Sequence, residues 1–220
     1  MRRVVVTGIG AVTPVGNDMK TTWDNLVNGV SGIDFIPEER FSTEGLKVKI
    51  AGLVKNFEPT KYFEKKDLRK NDLYTQYAVA AATEAVEDSD ILGKIEEDNF
   101  GVYVGAGIGG LDSFYKNSIN MEKFGARKVS PFFIPMMIAN MASGTIAIKF
   151  KAKGPCVPIV TACATGANSI GEAFHAIRDG YCDAIITGGA EAAVSPLSIA
   201  GFQNCKALTT RNDPKNIYPI

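Results

Sequence analysis

The chain has 220 residues, of which 45% are hydrophobic, and its 24 Lys and Arg balance its 24 Asp and Glu. This length and apolar content allow a buried core, and the balanced charge gives no overall field that would attract nucleic acid or an anionic membrane. No segment approaches the roughly 20 uninterrupted apolar residues that a membrane helix needs. The sequence therefore predicts a globular, cytoplasmic protein that binds neither nucleic acid nor a membrane.

Apolar strand-like runs alternate with helical ones along the chain. The predicted elements, in order, are a strand at 4–7, a helix at 19–28, a short strand at 48–51, a helix at 73–86, a strand at 101–104, a helix at 111–124, a helix at 138–150, a strand at 157–160, a helix at 163–178, a strand at 184–186 and a short helix at 196–202. Continuously apolar strands that alternate with helices are typical of an α/β layered fold with a largely parallel sheet.

Two of the predicted helices carry apolar residues at helical spacing. The first follows a cap at Asn17 and Asp18, and its spaced positions are Trp23, Leu26, Val27 and Val30. The helix at 163–178 ends at Asp179-Gly180, and one face of it holds Ala164, Ala167, Ile170, Phe174 and Ile177.

Cys163 lies where an apolar strand is predicted to turn into a helix. Backbone N–H groups at a helix N-terminus carry a partial positive charge and stabilise a thiolate. Ala162, Ala164 and Gly166 are small and leave room for a substrate. The alternative is a small buried hydrophobic residue, as most free cysteines are. The position between strand and helix favours a nucleophile.

The remaining cysteines, Cys156, Cys182 and Cys205, show no C-x-x-C spacing, and His175 is the single histidine. The sequence therefore predicts reduced thiols, no zinc site and no cofactor. His175 follows Cys163 by twelve residues on the same predicted helix, which places it about 18 Å along the axis and about 120° around it. It cannot act as the base for Cys163, so the thiol works with another group or its partners lie outside this chain.

Residues 105–110 read G-x-G-x-x-G after a strand and before a helix, which is the pattern of a dinucleotide-binding loop. Such a unit needs an Asp or Glu about 20 residues later at the end of the next strand. The chain runs instead through Arg127-Lys128-Val129-Ser130-Pro131-Phe132-Phe133. The mismatch favours close backbone packing at a turn.

Two further patterns have open interpretations. The segment 131–138 is too apolar for a surface loop and is expected in the core, in a subunit interface or in the wall of an apolar pocket. A local cationic cluster is either a solvated face or a dock for an acidic partner, with Lys206 and Arg211 as further candidates. The members of that cluster are Lys61, Lys65, Lys66, Arg69 and Lys70.

Several segments together resemble the amino-terminal half of the type II beta-ketoacyl-acyl-carrier-protein synthases, which have the thiolase fold. The matching segments are 4–10, 161–166, 188–192 and 207–213, so the resemblance covers residues 1 to about 214. It implies an α/β thiolase-like layered fold, with a mixed, largely parallel five-stranded sheet flanked by helices. It also implies one amino-terminal domain over residues 1–220.

The resemblance implies a decarboxylating Claisen condensation in fatty-acid elongation, without a metal or cofactor. Cys163 would take the acyl chain from acyl carrier protein as a thioester, malonyl-carrier protein would supply the attacking carbanion, and the Cys163 N–H would form half of an oxyanion hole. The implied acyl pocket consists of Gly107, Ile108, Leu111, Ala162, Ala193 and Phe202, with Phe133 and Ile134 reaching in from the partner of a homodimer. The implied carrier-protein dock consists of Lys65, Arg69 and Lys206.

The chain departs from the family pattern at its end. The family's two catalytic histidines, its active-site lysine and its phenylalanine gate lie in a carboxy-terminal half, so this chain alone is expected not to complete the condensation. After Lys215 the family continues with Ser-x-Pro-Phe, whereas this chain reads Asn216-Ile217-Tyr218-Pro219-Ile220. This atypical tail, 215–220, suggests a truncated or frameshifted gene.

Two alternatives to a fatty-acid enzyme remain at this point. One is a polyketide-type ketosynthase, which shares the sequence around Cys163. The other is a catalytically silent module that binds acyl chains or a protein partner.

Overall fold

A computed structural model describes residues 2–215. The chain divides into two compact units. The first comprises Met1–Ala11 and Glu58–Ala192, and the second comprises Val12–Phe57 and Ala193–Ile220. A single domain over 1–220 stays a prediction, and of the atypical tail only Lys215 lies among the described residues. None of the described helices combines the length and hydropathy of a membrane span.

The described helices and strands keep the predicted order, but the strands expected at 4–7 and 157–160 are absent and three short elements, at 33–35, 65–68 and 133–137, were not predicted. The described elements are α1 (Met19–Val27), β1 (Ile33–Phe35), β2 (Ile50–Gly52), α2 (Lys65–Leu68), α3 (Leu73–Ser89), β3 (Phe100–Gly105), α4 (Leu111–Phe124), α5 (Phe133–Met137), α6 (Met141–Phe150), α7 (Thr165–Arg178), β4 (Ala184–Gly189) and α8 (Pro196–Asn204). Short 3-10 turns lie at Pro59–Lys61, Glu97–Asn99, Ala126–Lys128 and Ala162–Ala164.

The second unit is built on the antiparallel pair β1–β2, in which Ile33 lies opposite Gly52. Its core contains Ile36 and Val48 with Ile199 of α8. Asp18 caps α1 by accepting a hydrogen bond from the Thr21 N–H, as expected from the sequence. The spaced apolar residues of α1 and the loop after it are exposed rather than packed into this core, and they are Trp23, Leu26, Val27 and Val30.

The first unit is built on the parallel pair β3–β4, in register from Phe100 opposite Ala184 to Gly105 opposite Gly189. Every residue of β3 is buried. Helices α3 and α6 pack against each other, α6 also contacts β3, and α7 contacts both strands. The core residues with the lowest exposure in this cluster are Tyr74, Val79, Val102, Ala142 and Ile146.

The α/β class is confirmed, but the five-stranded sheet is not formed by the described residues, which contain two two-stranded sheets. Residues 4–7 form no strand, and Val6 is 77% exposed. The backbone that follows lies on α3, where the Ile9 N–H donates to Asp88 and the Ala11 N–H donates to Glu84. Its N–H groups are therefore satisfied by carboxylates instead of a neighbouring strand.

The strand expected at 157–160 is also absent. Only one isolated parallel bridge, Val102 with Cys156, joins this stretch to β3. The Val157 N–H still donates to the Val102 carbonyl at 3.0 Å, so the segment runs beside β3 without a continued ladder. This segment leads into the 3-10 turn that precedes α7.

Helix α7 buries a different face from the one that its large apolar residues share. The residues that face inward are small, and they are Thr165, Ser169, Ala173 and Ala176. Ile170 and Phe174 are exposed. The reason is the short distance between α7 and the strand ends, since only small side chains fit between a helix and a strand at close approach.

Three glycines permit this close approach. A Cβ at Gly105 would lie 1.9 Å from the Ile159 carbonyl oxygen and 2.5 Å from the Thr165 methyl carbon. A Cβ at Gly189 would lie 2.9 Å from the Gly166 Cα. The backbones therefore touch directly at the carboxyl ends of β3 and β4, where α7 begins.

We predict that Gly105→Ala lowers the free energy of unfolding by about 3 kcal/mol, because the added methyl collides with backbone that cannot rotate away. The matched control is Gly171→Ala within α7, where an added Cβ meets nothing within 4 Å. The control should raise the stability by about 0.5–1 kcal/mol, since alanine is the better helix former. Urea unfolding of both variants measures the difference, and equal effects would contradict the packing account.

Candidate active site

Cys163 occupies the middle of the 3-10 turn Ala162–Ala164, which leads directly into α7. The preceding residue, Ala162, has a φ of 51°, in the left-handed region that costs a non-glycine residue about 1 kcal/mol or more. The Thr161 N–H donates to the Thr165 hydroxyl at 2.9 Å, and the Asn168 amide donates to the Thr161 hydroxyl at 2.9 Å. These two hydrogen bonds hold the strained turn in place.

The thiol and the backbone N–H of Cys163 are both available to a substrate. Cys163 is exposed. Among the described residues, no acceptor is present for its backbone N–H. The first N–H groups of a helix have no intrahelical partner and carry partial positive charge. The turn can therefore present a nucleophile and a hydrogen-bond donor to the same carbonyl group.

Two other cysteines are less suited to act as thiolates. Cys182 is 1% exposed, and burial, with a smaller contribution from the Asp183 charge, raises the pKa of its thiol. Desolvation also raises the pKa of the Cys156 thiol, although part of that residue is exposed, while a hydrogen bond with Ser143 partly offsets the effect. In both cases the charged form is disfavoured.

The glycine-rich loop between β3 and α4 lies next to the Cys163 turn. A Cβ at Gly107 would be 3.3 Å from the Ala162 carbonyl oxygen. On its other side the loop packs against α5 and the residues after it, since the Gly110 N–H donates to the Met137 carbonyl at 3.0 Å. The loop and the turn that carries Cys163 are therefore adjacent.

Glu191 is a residue of this site that reasoning from the sequence missed. Its carboxylate accepts a hydrogen bond from the Ile108 N–H at 2.8 Å. Desolvation raises the pKa of Glu191, and hydrogen bonds from backbone N–H groups, that of Ile108 foremost, work in the opposite direction. The available signal was an acidic residue two positions after a strand that ends in two glycines, Gly188-Gly189-Ala190-Glu191.

The expected acyl-pocket residues are distributed over both units. In the first unit, Gly107 and Ala162 are neighbours, Ile108 is 46% exposed, and Leu111 begins α4. Phe133 and Ile134 begin α5, with the Phe133 and Phe114 ring centroids 6.4 Å apart and Ile134 55% exposed. The second unit holds Ala193 and Phe202.

A buried polar network fixes the segment that carries Phe133 and Ile134. Asp72, 5% exposed, accepts a hydrogen bond from the Ser113 hydroxyl at 2.5 Å. The Asn117 amide donates to the Ser113 carbonyl and its oxygen accepts from the Ser130 N–H, both at 2.8 Å. Burial raises the pKa of Asp72, against the effect of its hydrogen bonds. The network connects the start of α3 through α4 to the loop before α5.

The cationic cluster separates into paired and unpaired members. Three lysines form ion pairs, and these pairs are Lys61 with Glu58 at 3.0 Å, Lys66 with Glu64 at 2.7 Å and Lys70 with Asp67 at 2.7 Å. Lys65 and Arg69 are exposed and have no acidic partner within 4 Å among the described residues. Lys206, in the second unit, is likewise exposed and unpaired in the described part of the chain.

His175 lies on the exposed surface of α7, where its ring contacts Phe174 with centroids 5.5 Å apart. It lies near the opposite end of α7 from Cys163 and does not serve it. Within residues 2–215, no group of three or more His, Cys, Asp or Glu side chains is arranged to hold a metal ion.

We predict that iodoacetamide alkylates Cys163 about tenfold faster than any other cysteine, because its exposed sulfur lies at a helix N-terminus that stabilises the thiolate. Peptide mass spectrometry over a time course gives the four rates. Cys156 and Cys205, which are also exposed, control for simple accessibility. Equal rates at the three exposed cysteines would contradict an activated thiol.

Comparisons with known proteins agree with the fold. A 3-oxoacyl-[acyl-carrier-protein] synthase 2 of Staphylococcus aureus (strain COL) is 48% identical over 213 residues, which cover 96% of this chain and 51% of that protein. A solved beta-ketoacyl synthase from Burkholderia phymatum STM815 superposes with a TM-score of 0.86 at 28% identity, covering 100% of this chain and 54% of that one. The ishigamide ketosynthase/chain length factor gives a TM-score of 0.83 at 30% identity, and the match covers 94% of this chain and 52% of that one.

The chain spans about half the length of the curated relatives that it matches. The sequence model of the family described as "Beta-ketoacyl synthase, N-terminal domain" matches residues 1–219. The resemblance inferred from the sequence is thereby confirmed, and the chain belongs to the beta-ketoacyl synthase family as its N-terminal domain.

Proposed function

We propose that this chain carries the acyl-accepting part of a 3-oxoacyl-acyl-carrier-protein synthase of fatty-acid elongation. The observation that carries the proposal is the exposed Cys163, held by a braced, strained turn at the N-terminus of α7. The name of the 48% identical relative supports the choice of reaction and of acyl carrier protein as the donor.

The first step is acyl transfer. The Cys163 thiolate attacks the carbonyl carbon of an acyl thioester on the carrier protein, and the tetrahedral oxyanion is stabilised by the Cys163 N–H. The bond to the carrier's sulfur then breaks, and the released carrier thiolate takes up a proton from water, which balances the proton that Cys163 lost when it ionised. The product is an acyl thioester on Cys163, and the reaction needs no oxidant or cofactor.

The second step is the condensation. Malonyl-carrier protein loses CO₂, the carbanion attacks the acyl-Cys163 carbonyl carbon, and the Cys163 thiolate is released. This step is proposed for the longer relatives, because the resemblance assigns the proton-handling histidines to a carboxy-terminal half. His175 does not replace them, since it lies near the opposite end of α7 from Cys163.

The acyl chain is proposed to run along Gly107, Ile108, Leu111 and Ala162. Gly107 lies close to Ala162 in the turn that carries Cys163, and Ile108 offers an exposed apolar surface. Ala193 and Phe202 complete the proposed lining. Phe133 and Ile134 are proposed to enter the pocket of a second copy in a cytoplasmic homodimer, for which the exposed side chain of Ile134 is suited.

Lys65, Arg69 and Lys206 are proposed to dock the acidic carrier protein. A cation that is already paired must give up its partner to bind another acidic group, whereas an unpaired one need not. The three proposed residues have no acidic partner within 4 Å among the described residues, in contrast to Lys61, Lys66 and Lys70.

A polyketide-type ketosynthase is the second candidate. The identity to the ishigamide ketosynthase/chain length factor is 30%, against 48% to the fatty-acid synthase relative, so the observations favour fatty-acid elongation. A catalytically silent binding module would bind carrier protein without forming an adduct.

The acyl-transfer proposal is tested by incubating the 220-residue chain with acyl-carrier protein and measuring the intact mass. We predict an added acyl group on the wild type that maps to Cys163. Cys163→Ala should abolish the adduct, and the matched variant Cys205→Ala should retain it. An adduct at another residue, or none in the folded wild type, would refute the proposal.

Charge reversal tests the dock. Lys65→Glu should slow acyl transfer from the carrier protein by about tenfold at low salt, because it replaces an attraction with a repulsion. Lys123→Glu, an exposed lysine in the last turn of α4, is the matched control. Equal slowing by the two variants would remove Lys65 from the dock.

A further inference from the structure

We propose that Glu191 is a positioning residue whose carboxylate fills the concave side of the 105–110 loop and holds Gly107 and Ile108 against the Cys163 turn. Glu191 thereby sets the shape of the acyl pocket at its wall nearest the nucleophile. This inference rests on the proposed acyl-accepting function for the meaning of the pocket, although the loop geometry stands without it.

The loop presents successive backbone N–H groups to one carboxylate. The Ile108 N–H donates to Oε2 of Glu191 at 2.8 Å, and the backbone N–H groups of Gly107, Gly109 and Ala192 lie near enough to work against the rise in the pKa of this carboxyl group. Consecutive N–H groups that point into a common concavity form an anion-binding nest. In this protein the anion is a side chain of the same chain.

This arrangement explains the G-x-G-x-x-G pattern. In a dinucleotide-binding unit the glycine loop accepts the phosphates of a ligand. Here the concave side of the loop is already occupied by Glu191, two residues after β4 ends at Gly189. Gly107 gives room for this approach, since a Cβ there would lie 3.2 Å from Oε2, closer than most Cβ contacts.

The position of the carboxylate couples the loop to the nucleophile. A Cβ at Gly107 would lie 3.2 Å from Oε2 of Glu191 and 3.3 Å from the Ala162 carbonyl oxygen, so the carboxylate and the Cys163 turn both approach the loop at this glycine. On the opposite side, the Gly110 backbone is packed against Met136, where a Cβ would come within 2.0 Å of the carbonyl oxygen. The loop is therefore held from both sides, and Glu191 is the charged contact on the side of Cys163.

Burial acts against the charge of the Glu191 carboxylate. Part of Glu191 is exposed, but its carboxyl end is desolvated, and this raises its pKa despite several N–H donors. The loop N–H groups therefore hold a carboxyl group whose charge its desolvation disfavours.

Amide hydrogen exchange in the 220-residue chain tests the positioning. In Glu191→Gln, the exchange rates of the Ile108 and Gly109 amides should rise about tenfold, because a charge-assisted hydrogen bond is lost while β3 stays intact. Val102 and Val104 of β3 are the internal reference. Glu122→Gln, an exposed glutamate on α4, is the matched control and should change neither region. Unchanged exchange in the loop would overturn the inference.

A second variant covers the case in which Glu191→Gln unfolds. Glu191→Asp keeps the charge and withdraws the carboxylate by one methylene, so loop exchange should rise by a smaller factor with β3 protected. If Glu191→Asp leaves the loop at its wild-type rate, the inference fails.

A separate measurement tests whether Glu191 shapes the acyl pocket. Acylation of Cys163 by a series of carrier proteins with different acyl chain lengths should lose its length preference in Glu191→Gln. A loosened loop with an unchanged preference would overturn the claim that Glu191 shapes the pocket. If the wild type accepts no acyl chain at all, the proposed function fails, while the exchange data still decide whether Glu191 positions the loop.

Discussion

Direct backbone contact at the carboxyl ends of β3 and β4 is the constraint on which the site depends. Gly105 leaves no room for a side chain against Ile159 and Thr165, and Gly189 leaves none against Gly166. Because these positions lack side chains, α7 begins immediately above the strand ends, and the turn before it must bend sharply. The left-handed Ala162 is the cost of that bend, and the exposed Cys163 is its consequence.

The same close packing determines what surrounds the nucleophile. The 105–110 loop is near enough to touch Ala162, and its N–H groups face a carboxylate that comes from the end of the other strand. One sheet edge thus supplies a thiol, a free N–H and a loop fixed by Glu191. The proposed chemistry of this edge is acceptance of an acyl group, whereas the resemblance places the groups for the later condensation in the other half of the longer relatives.

Much of the fold could be predicted from the sequence, because periodicity and caps identify α1, α3, α4 and α7 to within a few residues. The absence of strands at 4–7 and 157–160 could not be predicted, since an apolar run does not show whether a partner strand lies beside it. The buried face of α7 could not be predicted either, because the close approach of the helix to the strands selects small residues over large ones. Glu191 could not be identified as a site residue, because it contacts backbone N–H groups, which leave no pattern in the sequence.

The rate of Cys163 alkylation in the folded chain compared with the chain unfolded in urea tests the central claim most directly, since both states share one covalent structure. If the turn and helix end activate the thiol, unfolding should slow Cys163 while the buried Cys182 becomes faster. A Cys163 rate that stays the same or rises on unfolding would contradict the account, because the fold would then contribute nothing to the nucleophile.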